Sequence, residues 1–140
     1  MKTVFVDTSF YLALLVPDDR WHEEALRLSK EFSGRRVTSE FVMCELGALL
    51  SAPRNRTLFL EFVNLLDRSE STDVLPATQS DFRAGLLLFS ARPDKEWSLT
   101  DCISFGLMGR SGISSALAFD HHFQQAGFNS LKSDHLDVGN

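Results

Sequence analysis

Three aspartates stand where a soluble chain has little structural reason to place acids. Asp101 opens an apolar helical run, Cys102 to Met108, and Asp120 closes a short strand-like run, Ser115 to Phe119. Asp7, in MKTVFVDTSF, closes a second such run at the front of the chain. In an open parallel α/β sheet the carboxyl ends of the strands face one crevice, so acids that end two separate strands meet there. A fourth acid, Glu45, has Phe41 and Val42 one turn before it and Ala48 and Leu49 one turn after it. A charge on so apolar a face calls for a cation, a metal or a shifted pKa. Carboxylates gathered in a crevice without a matching His or Cys set suit a hard cation, Mg2+ or Mn2+, which prefers oxygen ligands and keeps waters and substrate phosphate in its shell. Such an ion orients a water, lowers its pKa and neutralises charge building on a phosphodiester, so phosphodiester hydrolysis is the chemistry that follows.

A blander reading exists for each acid taken singly. Asp7, Asp101 and Asp120 can all serve as N-caps or first-turn acids, and Glu45 can pair with a buried arginine. Those roles leave the coincidence of the four unaccounted for. His121 and His122 follow Asp120, but adjacent helical residues point in different directions, so both are read as surface positions rather than catalytic ones. Arg54, Arg56 and Lys95 fall in segments that could flank a crevice and touch phosphate, although solvated basic residues are their default reading.

The elements that must hold these residues alternate. Thr3 to Val6 reads as a buried strand; Asp7-Thr8-Ser9 ends it and caps a helix that stops at Val16-Pro17. Trp21, Ala25, Leu28 and Phe32 recur on one face of a second helix, with Gly34 as its stop. Arg36 to Thr38 is a second strand, and Ser39 caps a third helix, Glu40 to Leu50. Pro53-Arg54-Asn55 is expected to break the chain before a fourth helix, Thr57 to Leu66, which makes a hairpin with the third. A strand over Asp73 to Leu75, a helix over Ser80 to Ala91, the helix of Asp101, the strand before Asp120, a short helix over His121 to Ala126 and a strand near Phe128 to Leu131 complete the chain. Alternating β and α elements imply a parallel sheet with helices on both faces.

Residues 1–140 suffice for one domain with a real core, and no linker, repeat or charge block divides them. The net charge of −5 argues against a broadly basic DNA binder, but carboxylates committed to a cation neutralise most of that excess and leave an RNA partner open. Cys44 and Cys102 lack CxxC spacing and partner histidines, so they are expected to be small buried hydrophobes in a reducing cytoplasm, with no zinc site. The apolar run Phe10 to Val16 is far shorter than the roughly 20 residues of a membrane span, and no small-residue cleavage site marks a leader.

VDTSF with Asp7, FVMCELGALL with Glu45, LTDCISF with Asp101 and ALAFDHHFQQAGF with Asp120 together resemble the PIN-domain family, and within it the VapC-like ribonuclease toxins. The likeness spans nearly the whole chain, in order and at fitting spacings, and the last two motifs carry most of its specificity. It implies a three-layer α/β sandwich with a central parallel sheet of four or five strands. It further implies an Mg2+- or Mn2+-dependent endoribonuclease whose catalytic and metal-binding residues are Asp7, Glu45, Asp101 and Asp120. Thr8 and Thr100 would supply hydroxyls nearby, and Arg54 and Arg56 phosphate contacts. A cognate antitoxin would block the groove, and the likeness to dimeric toxins suggests a homodimer through the third and fourth helices, where Phe59, Phe62, Val63 and Leu66, with Leu46, Leu49 and Leu50 adding bulk, make an apolar surface that either forms the interface or turns inward to the core. One departure stands out: the family often has Thr two residues before the last acid, where this chain has Ala118, so a hydrogen bond near the metal must come from Ser98 or Thr100 or be lost. Two other readings compete. One keeps the nuclease but assigns it to ordinary RNA processing; the other is a noncatalytic signalling module such as a phospho-receiver, which calls for paired acids near the first strand, where Asp7 stands alone. A DxD phosphatase is disfavoured because Ser9 occupies the second position.

Overall fold

A computed structural model describes residues 2–131. Five strands, β1 (Thr3–Val6), β2 (Arg35–Ser39), β3 (Thr72–Leu75), β4 (Ser115–Leu117) and β5 (Asn129–Ser130), form one sheet in the order β3-β2-β1-β4-β5. Every neighbouring pair is parallel. The helices between them are α1 (Thr8–Leu15), α2 (His22–Glu31), α3 (Glu40–Leu49), α4 (Pro53–Arg68), α5 (Gln79–Ala91), α6 (Leu99–Ser111) and α7 (His122–Gln125). The chain steps from β1 through β2 to β3 in one direction across the sheet, then returns past β1 to lay down β4 and β5 in the other. Right-handed crossovers that step in opposite directions fall on opposite faces, which yields the expected three-layer sandwich. The reversal leaves a topological switch point between β1 and β4, where open parallel sheets place ligand crevices.

Local chemistry explains most boundaries. The Asp7 carboxylate accepts the Ser9 N–H and starts α1, and Val16 ahead of Pro17 stops it. Ser39 accepts the Val42 N–H to open α3, and Thr78 accepts the Asp81 N–H to open α5. α6 begins with a reciprocal capping box between Ser98 and Asp101 and ends at Gly112, whose φ of 69° lies in the left-handed region that glycine tolerates. The core is continuous: Val4, Phe5 and Val6 of β1 are fully buried and meet Phe10, Leu46 and Phe123 from the helical layers.

Three sequence expectations are corrected. α4 begins at Pro53 rather than at Thr57, because the first helical position has no N–H partner to lose and proline's fixed φ suits it. Cys44 is exposed, since it lies on the outer side of α3, whereas Cys102 is buried as expected. Phe62, Leu66, Leu46 and Leu50 turn inward instead of forming an outer face; Phe62 packs edge-on against Tyr11 at 4.9 Å between ring centres. No helix among the described residues is long and apolar enough to cross a membrane.

Candidate active site

β1 and β4 deliver two acids to the switch point. The Asp7 N–H continues the ladder to Leu117 O at 3.0 Å, so Asp7 is fixed directly beside the end of β4. Ala118 and Phe119 then leave the ladder and carry Asp120 across the crevice. Ser9 joins the two segments: its hydroxyl donates to Asp7 Oδ2 at 2.7 Å and accepts the Phe119 N–H at 3.0 Å. Asp101 arrives from the first turn of α6, buried at 5% exposure and set by the capping box.

Each of the three carboxylates spends one oxygen on nearby donors. Asp7 Oδ2 takes both the N–H and the hydroxyl of Ser9. Asp101 Oδ2 takes the Ser98 N–H at 3.0 Å and the His122 ring at Nδ1, 2.9 Å away. Asp120 Oδ1 takes the His122 N–H at 3.0 Å. The opposite oxygen of Asp7, Oδ1, is buried with no hydrogen-bond partner, and so is the Thr8 hydroxyl beside it. A buried acceptor left without a donor is costly, and a cation at that point removes the cost.

Electrostatics agree. The Asp7 carboxyl is pushed from its ordinary 3.8 up to about 8, first by burial, then by the Asp120 charge, with Ser9 opposing and Asp101 adding. Asp101 is raised too, chiefly by burial and against the Ser98 N–H. Crowded carboxylates that resist ionisation together fit a site completed by positive charge. Ligand atoms of Asp101, Asp120 and His122 lie within 4.8 Å of one another. Asp7 falls outside that span yet feels both aspartates. These carboxylate oxygens, with a single imidazole beside them, fit a divalent cation.

The remaining expected residues are more dispersed. Glu45 is half-buried in the second turn of α3 and, like Asp7, is not one of the three residues whose ligand atoms lie within 4.8 Å of one another, and Ala48 and Leu49 of its face are exposed. Burial alone therefore does not force a partner on it. Thr100 is half-buried in the first turn of α6. Arg54 and Arg56 are exposed in the first turn of α4, where Arg56 donates to Ser51 O at 2.9 Å and closes the α3–α4 corner. Lys95 and Arg92 lie over the Trp97 ring, at 5.9 and 5.3 Å from its centre, immediately before the Ser98 cap. The hydroxyl missing at Ala118 is not replaced by the Ser98 side chain, which caps Asp101 N instead. Ser9, which sequence reasoning treated only as part of a cap, holds that stretch of backbone through Phe119. His122, read as a surface position, is turned inward, while its neighbour His121 is exposed.

Comparison with known proteins places this geometry. The PIN domain family model matches residues 4–129. Two strains of Mycobacterium tuberculosis carry a relative described as the 23S rRNA-specific endonuclease VapC20, 30% identical over 132 residues that cover 94% of this chain and 99% of the relative. The crystal structure of M. tuberculosis VapC20, described as a Sarcin-Ricin loop cleaving toxin, superposes with a TM-score of 0.85 at 29% identity, covering 92% of this chain and 98% of that one. FitAcB from Neisseria gonorrhoeae shares the fold at a TM-score of 0.68 and 15% identity, over 94% of this chain and 99% of the other. With the family model running from β1 to β5 and the acids seated at the sheet's switch point, the chain belongs to the PIN-domain family.

Proposed function

We propose that this chain is an Mg2+- or Mn2+-dependent endoribonuclease that acts in the cytoplasm as the toxin of a toxin–antitoxin pair, with RNA as substrate and a cognate antitoxin as its partner. The observation that carries the reading is the trio Asp7, Asp101 and Asp120, each with one oxygen held by local donors, and Asp7 Oδ1 buried and unpartnered. The near-full-length relationship to VapC20, itself described as an rRNA endonuclease, supports RNA over other phosphodiesters.

In this reading Asp7, Asp101 and Asp120 hold the metal, with Glu45 as the fourth acid from α3. A bound divalent ion supplies a water of lowered pKa and neutralises charge on the scissile phosphate. The protein's own part is placement. Ser9, Ser98 and His122 keep the carboxylates from rotating, so the ligand set is organised before substrate arrives. Thr8, whose hydroxyl is buried without a partner, and Thr100 on α6 are proposed to supply hydroxyls near the substrate phosphate. Arg54 and Arg56 are proposed to meet the RNA backbone farther out, where exposed cations contribute affinity that weakens with salt.

Incubation of the purified protein with a panel of cellular RNAs, with Mg2+, with Mn2+ and with chelator, followed by mapping of cut sites, tests enzyme class, metal need and target together. Discrete metal-dependent cuts that Asp101→Asn abolishes are expected. Intact RNA under every metal condition overturns the nuclease. Expression in a host cell separates toxin from housekeeping enzyme: growth arrest relieved by a neighbouring small reading frame supports the toxin, and unimpaired growth alongside active cleavage supports RNA processing.

A further inference from the structure

His122 is shared by two of the three carboxylates. Its backbone N–H donates to Asp120 Oδ1 at 3.0 Å, and its ring Nδ1 lies 2.9 Å from Asp101 Oδ2. That same Asp101 oxygen already accepts the Ser98 N–H, and an ionised carboxylate only accepts, so with Asp101 ionised, as a metal ligand must be, the ring nitrogen supplies the proton. One residue therefore sets the rotation of two acids that reach the crevice from different elements, Asp101 from α6 and Asp120 from the segment after β4. The short helix that carries the ring is anchored at two further positions. The next residue, Phe123, is fully buried, packs edge-on against Phe105 of α6 at 4.9 Å and stacks on Phe5 of β1 at 6.4 Å. At the far end of the same short helix, Gln125 accepts the Trp97 indole N–H at 3.0 Å and ties α7 to the segment that leads into Ser98.

We infer that His122 is a positioning residue that aims Asp101 and Asp120 at the cation, and is not itself a ligand. The inference rests on the metal-dependent reading above. A nitrogen that carries its proton toward Asp101 has no lone pair to give a metal, and a hard ion prefers the carboxylate oxygens over the remaining ring nitrogen. Outer groups of this kind typically change metal affinity by about 10–100-fold when removed.

The test uses the full chain, without RNA, and Mn2+ alone as the probe. Calorimetric Mn2+ affinity is compared for wild type, His122→Ala, His122→Gln and His122→Asn, with metal-free melting temperature as the check on folding. The asparagine amide nitrogen occupies the place of Nδ1, and the glutamine nitrogen that of Nε2, so the pair remains informative even where alanine fails to fold. The expected result is a loss of about 10–100-fold for Ala and Gln, with Asn restoring binding close to wild type. Pulsed electron paramagnetic resonance of the bound Mn2+ in wild type is expected to show no directly coordinated imidazole nitrogen. Rescue by Gln and not by Asn, or a coordinated nitrogen signal that His122→Ala removes, makes His122 a ligand and overturns the inference. Equal affinity in all four proteins removes any role. A wild-type protein that binds no Mn2+ overturns the proposed function itself, and this inference with it.

Discussion

At the scale of single residues, capping and candidate chemistry coexist in the same side chains. Asp7 caps α1, Asp101 completes the box that opens α6, and Asp120 accepts the His122 N–H, yet each of these bonds falls on one oxygen and leaves the other available. Sequence reasoning set the two roles against each other because a letter does not show that a carboxylate has two ends. The Asp7 carboxyl, pushed up to about 8 by burial and then by Asp120, carries a consequence for stability. An acid raised above its ordinary 3.8 favours the fold while protonated; that contribution is complete below about 4 and is lost as pH climbs through about 8. Metal-free wild type is therefore expected to melt at a lower temperature at pH 8.5 than at pH 5.5, and Asp7→Asn to lose much of that dependence, melt higher at pH 8.5 and cleave nothing. Calorimetric scans in chelator decide it; a variant whose melting point falls with pH as steeply as wild type contradicts the assignment. Ser9→Ala tests the other side of the same carboxylate. It removes the hydroxyl bridge to Asp7 and Phe119, and is expected to lower cleavage about 10–100-fold while costing only about 1 kcal/mol of stability, measured by single-turnover assays beside urea titration. Ser9 and His122 were poorly legible for definite reasons. A serine after an aspartate looks like any helix start, and the rule that neighbouring helical residues diverge does not say which of two histidines turns inward.

At the scale of elements, caps and breakers made the helices readable, and misreadings arose where one residue type has two positional meanings. Proline breaks a helix interior but suits the first turn, so α4 starts at Pro53 and gains a turn over the expected span. The apolar run Ser115 to Phe119 reads as one strand, but pairing stops at Leu117, because nothing in the side chains of Ala118 and Phe119 marks where the backbone turns off to carry Asp120. Placement of Asp101 depends on a contact that no local pattern reveals. α5 and α6 pack along their lengths, and a Cβ added at Gly85 falls 2.3 Å from Ile103 Cγ1 and 3.1 Å from the Ile103 backbone. Ile103 is two residues beyond Asp101, and its main chain has no room to retreat cheaply. Gly85→Ala is expected to destabilise the fold by about 1–3 kcal/mol through overpacking and to weaken Mn2+ binding by displacing α6, despite alanine's better helix propensity. Denaturant unfolding that shows a gain in stability sinks this account of the helix pair.

At the scale of the whole molecule, the parallel sheet was legible from alternating strand and helix patterns, whereas its order, β3-β2-β1-β4-β5, was not, since that depends on pairings between distant segments. The order matters because it places Asp7 and Asp120 just beyond the ends of two adjacent strands, β1 and β4. The outer surface carries the last question, how copies of the chain associate. Phe62, expected to face outward, is buried against Tyr11, so Phe62→Glu would damage the core and report nothing about assembly. The exposed apolar side chains of the hairpin are Leu49 on α3, at 54%, and Leu60 and Leu65 on α4, at 61% and 58%. Leu60 also edges a groove of about 390 Å³ between the two helices, lined by Met43, Cys44, Gly47, Phe59 and Val63. Large exposed leucines beside an apolar groove are costly in water and offer both a knob and a socket. Two copies related by a twofold axis can each insert Leu60 into the other's groove, and such self-complementary patches are the commonest route to oligomers. We therefore expect a homodimer through α3 and α4, and expect Leu60→Glu to give a folded monomer because a carboxylate in that socket is left unpaired. Light scattering at micromolar concentration, with circular dichroism to confirm folding, measures both. A wild-type mass near the 15.7 kDa of one chain contradicts the dimer, and a dimer indifferent to Leu60→Glu moves the interface away from this hairpin, toward the exposed Leu87 and Phe89 of α5.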